Sequence, residues 1–213
     1  MCLVDHVPAL LVGVAARFED FYESFGTALT GKIAALWRIE ERLSLRTSVS
    51  TGYRAPTPGQ ANVQNIATNF SGDGGLIDAA QLPATHPISV ALGGKELTEE
   101  TARSYAVGVI GHISESLTIT ADYFHVSLTD RIALTGSIPL SDEMADILNS
   151  QNLLAGFETL REVKFFSNDF GTRTQGVDVL LSWDKEWIRD RATVASIAYN
   201  LSLIHISEPT RPY

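Results

Sequence analysis

The sequence predicts an all-β protein: an antiparallel meander forming part of a large transmembrane β-barrel with long extracellular loops. Three observations carry that expectation. Apolar and polar residues alternate with a period of two in seven separate runs, the signature of strands with one buried or lipid-facing side. The connections between the runs alternate between short polar turns and long excursions, as they do when one side of a membrane carries turns and the other carries loops. Aromatic residues fall on the apolar positions at two levels along the runs, as a bilayer with two interfaces selects. A soluble sandwich has no physical reason to segregate its loop lengths in this way.

Taken in order, the first run covers 9–19, with Val12, Val14, Ala16 and Phe18 on one face. The nearly apolar stretch 7–16 around it is too short for a membrane helix, but it matches the ~9–11 residues of a membrane-crossing strand. A second run, 29–39, sets Ile33, Ala35, Trp37 and Ile39 against Lys32, Ala34, Leu36 and Arg38. The third, 43–54, sets Leu43, Leu45, Val49 and Tyr53 against Ser44, Arg46, Ser48 and Ser50, then ends at Pro56, which lacks a backbone donor. The fourth, 101–112, places Tyr105, Val107 and Val109 together. The fifth starts at Ser116 and opposes Leu117, Ile119, Ala121 and Tyr123 to Thr118, Thr120 and Asp122. Its parity reverses at Phe124, Val126 and Leu128, which calls for a bulge or for an extension beyond the membrane. The sixth spans 162–183 with a break, and the seventh begins near Ala192.

Residues 40–42, 113–115 and 184–191 read as the short turns, and 20–28, 55–97 and 136–161 as the longer connections. Loops beyond ~12–15 residues are uncommon in compact domains and usually functional or disordered. Within them, 141–148 suits one or two helical turns, with Ser141 as N-cap and Met144, Ile147 and Leu148 on one side. Gly72-Asp73-Gly74-Gly75 reads as a turn, because no strand-to-helix context or lysine makes it a phosphate cradle. Trp37 and Trp183 sit beside the short turns, whereas Phe18, Tyr53, Tyr105 and Tyr123 sit toward the long loops.

Composition excludes several functions. A net charge of −9 is the wrong sign for a nucleic-acid surface, so no nucleic-acid partner is expected. The single cysteine, Cys2, cannot form an internal disulfide. The histidines are dispersed without metal-ligand spacing, and neither a nucleophile elbow nor a dinucleotide fingerprint is present. Acid pairs such as Glu99-Glu100 and Asp142-Glu143 fall at loop edges or at a helix start, where solvated or dipole-facing carboxylates are ordinary. No enzyme, cofactor or metal site is expected. Arg46, Arg54, Gln60, Asp122 and Asp178 are the candidate lumen-facing or ligand-facing residues, with structural ion pairing as the ordinary alternative for the charged ones.

Gly52-Tyr53-Arg54-Ala55-Pro56 resembles a motif of the barrels of TonB-dependent outer-membrane receptors. Three further stretches, 97–108 (beginning Leu97-Thr98-Glu99-Glu100), 117–131 (with Ala121-Asp122-Tyr123 and Asp130-Arg131) and 167–178 (with Asn168 and Gly176-Val177-Asp178), resemble the same family in the same order. The resemblance implies a receptor of the outer membrane of a Gram-negative bacterium, set in the lipid bilayer. Such a receptor binds a scarce small-molecule ligand (siderophore, haem, cobalamin or oligosaccharide) at its extracellular loops and is energised by TonB through a plug domain. The signal sequence, plug and remaining strands are expected outside this chain, because seven of about 22 strands cannot close such a barrel. The runner-up reading is a passive porin-like or structural barrel. Residues 1–200 are accordingly expected to be a partial barrel, prone to aggregate in water through its open edges. Residues 201–213 are expected to be an artefact, since 201–211 resemble the in-frame translation of a transposon-type sequencing-library adapter.

Overall fold

The computed structural model describes residues 9–21, 26–70, 75–157, 159–188 and 191–207. Its elements in chain order begin with β1 (Ala9–Phe21), β2 (Gly26–Glu40), β3 (Leu43–Arg54), α1 (Pro58–Asn62), β4 (Asn65–Phe70), β5 (Leu76–Gln81) and α2 (Pro87–Ala91). They continue with β6 (Glu100–Ser114), β7 (Leu117–Leu134), β8 (Ile138–Pro139), α3 (Asp142–Ser150), β9 (Leu160–Lys164), β10 (Phe166–Ile188) and β11 (Arg191–Ser207). The described residues divide into two compact units: those within 9–53, 101–129 and 171–207 form one, and those within 54–100 and 130–170 the other.

The first unit holds the seven expected strands as one sheet, in the order β1-β2-β3-β6-β7-β10-β11. Sheet order follows chain order, so it is a meander from which two excursions depart, and β1–β2, β2–β3, β6–β7 and β10–β11 pair antiparallel. The register explains the alternation. Val14 stands opposite Ile33 and Ile33 opposite Val49, while Lys32 stands opposite Ser50 and Leu36 opposite Arg46. One face therefore collects the apolar set and the other the polar set, because side chains in a strand alternate between sides. The apolar face is bare: Val14 is 74% exposed and Ile197 71% exposed, and Trp37, Tyr105 and Tyr199 are exposed too. Apolar residues on this scale need lipid or protein cover. Among the described residues no helix is long and apolar enough to cross a membrane, which does not bear on crossing by strands.

Two expected boundaries move. The connections 20–28 and 184–191 are shorter than expected, since β1 runs to Phe21, β2 starts at Gly26, and β10 and β11 extend to Ile188 and from Arg191. Pairing across a hairpin continues as long as backbone partners remain in register, whether or not the side chains alternate. Within the second connection the register slips between Glu186 and Ile188. There the Trp187 indole donates to Thr193 and the Lys185 ammonium lies 5.1 Å above the Trp187 ring.

The parity reversal at Phe124 is not a bulge between β6 and β7, which pair without a slip from Thr101↔Thr129 to His112↔Thr118. Phe124 instead lies over Gly176, where an added Cβ would stand 2.7 Å from its ring and 2.5 Å from the Leu201 carbonyl. A glycine on β10 makes room for an aromatic ring on the otherwise polar face.

The second unit contains what the sequence suggested was irregular. β4, β5, β9 and β8 form a four-stranded sheet in that order, with β5 and β9 parallel. Every fully buried large apolar side chain among the described residues (Leu82, Ile88, Leu148, Leu160, Val163 and Phe165) belongs to this unit. The break expected in the sixth run falls at Phe165, which is fully buried and accepts a backbone hydrogen bond from Thr135 (2.9 Å). α3 forms as expected, with Ser141 Oγ accepting from the Met144 amide. Leu148 is buried and Met144 packs on the core, but Ile147, at the edge of the same side and about 100° around the helix from Leu148, is exposed. The Gly72–Gly74 part of the glycine tetrad, Cys2 and His6 lie outside the described residues.

Candidate functional site

On the polar face of the first sheet, β3 and β7 are separated by β6, so their side chains meet only across a gap in β6. Gly108 provides it. Gly108 stands opposite Asp122 in the β6–β7 ladder, and a Cβ there would collide with the Asp122 carboxylate and lie 3.1 Å from Arg46 Nε. Without that Cβ, the Arg46 guanidinium crosses over β6 to make a forked contact with Asp122: Nε donates to Oδ1 at 2.7 Å, and a terminal nitrogen donates to Oδ2. Two parallel charge-assisted hydrogen bonds fix orientation better than a point contact. Further along the same face Ser50 and Ser104 hydroxyls share a 2.6 Å hydrogen bond, and the Asn200 amide donates to Asp178. A cavity of about 680 Å³ opens here, lined by Leu36, Arg46, Ser48, Gly108 and Asp122 among others.

The apolar face carries Tyr105, Tyr123 and Trp183. Tyr105 stacks on His125 with centroids 4.6 Å apart, and the Tyr123 hydroxyl donates to Gln175 (3.3 Å). Trp183 meets Trp187 edge-on at 6.3 Å near the turn that joins β10 to β11. Amphipathic rings of this kind suit the interfacial zones of a bilayer.

In the second unit, Arg54 reaches Glu100 at 3.3 Å, and the Glu100 carboxylate also accepts the Ile132 amide (2.9 Å). Glu100 is only 6% exposed, so the expectation of a solvated Glu99-Glu100 pair is corrected for Glu100. A carboxylate at the start of a strand is buried here because an arginine and a backbone donor replace its water. Asn168 makes a second clamp. Its amide nitrogen donates to the carbonyls of Thr98 (2.9 Å) and Asp130 (2.7 Å), and its oxygen accepts the Thr98 amide (2.9 Å). Asp130 has a left-handed backbone, φ 55°, a conformation that Asp tolerates better than most residues.

Two titratable groups of this unit are shifted. The hydroxyls of Thr159 and Thr68 donate to Asp78 and hold its carboxyl below the usual range. Burial pushes His86 below its ordinary value, and its Nδ1 caps α2 by accepting the Ile88 amide at 3.3 Å. Among the described residues no three His, Cys, Asp or Glu side chains gather in a way that could hold a metal ion.

Of the five candidates, the structure brings Arg46 and Asp122 together and leaves the rest apart. Asp178 pairs with Asn200 elsewhere on the polar face. Arg54 belongs to the Glu100 clamp. Gln60 closes a capping box on α1, its oxygen accepting the Thr57 amide (3.0 Å) while its own amide donates to Thr57 Oγ1 (3.2 Å). Thr57-Pro58-Gly59-Gln60 is a legible capping sequence, so the role of Gln60 was readable locally. Nothing local marks Glu100, Asn168 and Gly108 for these contacts, since Arg54, Thr98 and Arg46 lie tens of residues away from them.

No curated protein matches the chain. The chain is similar in structure to the siderophore receptor PirA from Pseudomonas aeruginosa, at 12% identity and a TM-score of 0.58, over 91% of this chain and 31% of that one. It is also similar to the RagAB peptide importer in its closed-closed state (12% identity, TM-score 0.59, 96% of this chain and 21% of that one). A second structure of the RagAB peptide transporter gives 13% identity and a TM-score of 0.58, over 93% and 21% of the two chains. The chain thus spans less than a third of these structures, and at such identities they speak to fold alone. The family model for the β-barrel of TonB-dependent receptor-like proteins matches residues 6–210, nearly the whole sequence. An open antiparallel meander with one bare apolar face, two long excursions and this family match places the chain in the β-barrel family of the TonB-dependent receptors of the outer membrane.

Proposed function

We propose that this chain is a sector of the wall of an outer-membrane receptor that takes up a scarce small molecule, with TonB supplying the energy through a plug domain encoded outside this sequence. The observation that carries the reading is the seven-stranded meander with an exposed apolar face on one side and hydrogen-bonded polar residues on the other. That division of faces suits lipid outside and a wetted or plug-filled lumen inside. The polar face, with Arg46, Asp122 and Asp178, is then the lumen wall, and the second unit, entered past Arg54 and containing Gln60, is the extracellular part. The similar structures are a siderophore receptor and a peptide importer, which supports a nutrient ligand without choosing one.

Uptake by the full-length gene product tests the proposal. Growth on a limiting siderophore, haem, cobalamin or oligosaccharide is expected to require both the receptor and an intact TonB. Growth that survives loss of TonB supports a passive porin-like barrel instead and overturns the energised reading. The adapter-derived reading of 201–213 belongs to the same proposal, and resequencing the gene past codon 200 decides it. Pairing of 201–207 with 171–177 is compatible with either origin, because the alternation around Leu201, Ser202 and Leu203 fits any free edge strand in register.

A further inference from the structure

We propose that the two excursions, 55–99 between β3 and β6 and 135–165 between β7 and β10, form one cooperative body that opens and closes as a whole. The ordinary expectation for two loops of a barrel is independent motion. Here neither excursion can complete its own structure. The β5–β9 ladder is parallel (Asp78↔Leu160 to Gln81↔Lys164), and its two strands come from different excursions, so no local hairpin can form it. The backbone extends the same join, with the Asp78 amide donating to the Thr159 carbonyl (2.9 Å) and the Leu82 amide to the Lys164 carbonyl (2.9 Å).

The core is shared in the same way. Leu82 and Ile88 come from the first excursion, and Leu148, Leu160, Val163 and Phe165 from the second. The excursions are 45 and 31 residues long, short of the roughly 55–65 residues at which small domains begin to fold alone. Asp78 repeats the pattern in a single side chain, accepting from Thr68 of its own excursion and from Thr159 of the other. At the base the clamps join chain ends of both excursions: Glu100 ties Arg54 to the Ile132 amide, and Asn168 ties Thr98 to Asp130. A structure whose central ladder and core are both shared between the excursions opens in one step, because losing either half exposes the core of both. Under the receptor reading above, on which this consequence rests, the extracellular gate then has two states, not two independently mobile flaps.

Hydrogen exchange read by mass spectrometry on the full-length gene product in detergent micelles tests this. The reporters are amides bonded within one excursion only: Leu92 after α2, which donates to Ile88, and Ala145 in α3, which donates to Ser141. In the wild type, protection at the two reporters is expected to agree within about threefold and to fall with the same dependence on denaturant. Leu160→Ala is expected to speed exchange at both by roughly tenfold or more, while β2 stays protected. Loss of protection in α3 with α2 unchanged overturns the proposal. Should Leu160→Ala not fold, the wild-type comparison decides alone, and different denaturant slopes at the two reporters overturn it. Uncoupled exchange leaves the receptor reading standing, whereas uptake without TonB overturns that reading and leaves the cooperative body intact.

Discussion

A missing side chain makes the central contact of the polar face. Arg46 and Asp122 are two strands apart, and only a glycine at 108 lets the guanidinium pass. Gly108→Ala is therefore expected to break the ion pair before it strains the backbone, because what its Cβ meets is the movable end of Asp122. The pair is half open to solvent, so the cost should be about 1 kcal/mol, and near zero in an Asp122→Ala background. A double-mutant cycle read by urea unfolding in lipid vesicles checks this; equal costs in both backgrounds would show that Gly108 matters for another reason. Glu100 is a different case, since Glu100→Ala leaves a buried amide at Ile132 without an acceptor. A loss of roughly 1–3 kcal/mol is expected, and Glu100→Gln, which retains an acceptor, should lose less. His86 gives the pH dependence. Its folded pKa is depressed, so below about 6.5, its ordinary value, the unfolded chain takes up a proton that the folded chain resists. Stability of the second unit should fall as pH drops through that window. His86→Asn, which keeps a capping acceptor for Ile88, should abolish the difference between melts at pH 7.5 and pH 5.5.

At the scale of elements, the two edges of the small sheet are handled differently. β8 has two residues and ends in Pro139, which offers no donor to a passing strand. β4 is six residues long (Asn-Ile-Ala-Thr-Asn-Phe), uncharged and exposed throughout, and pairs with β5 without a slip. Edges of this kind invite pairing with other chains unless something covers them. Phe70, 81% exposed, crowns that edge opposite Leu76. Phe70→Lys should leave stability within about 0.5 kcal/mol and reduce concentration-dependent association, as light scattering would report. Phe165→Ala is the contrasting substitution: the side chain is fully buried, and about 3–5 kcal/mol should be lost.

At the scale of the whole molecule, the first unit has, among the described residues, two open edges, β1 and β11, and an apolar face with no protein cover. In water it lacks both the lipid and the neighbouring strands that this surface requires, so residues 1–200 alone should associate and sediment. A monomeric, cooperative melt of that piece would contradict the expectation. The second unit differs in kind, having a dry core of its own. Membrane strands and the folded excursions between them thus obey opposite rules for where apolar residues go: outward in one unit and inward in the other.

That opposition marks what could be read without the structure. Period-two alternation, turn lengths and the four receptor-like stretches determined the seven strands, their order as neighbours and the faces of Arg46, Asp122 and Asp178, because strand parity is a local property of the chain. Capping signals did the same for α3, whereas α1 lay unread inside the connection 55–97. The excursions read as irregular because β4, β5 and β9 are short, and β5 and β9 find each other across some eighty residues. Their parallel ladder leaves no local trace. Tertiary structure alone decided that Glu100 is buried against Arg54, that Gly108 admits the Arg46–Asp122 pair, and that two loops share one core. In each case the deciding partner lies dozens of residues away, and the energy that selects it exists only once the chain has folded.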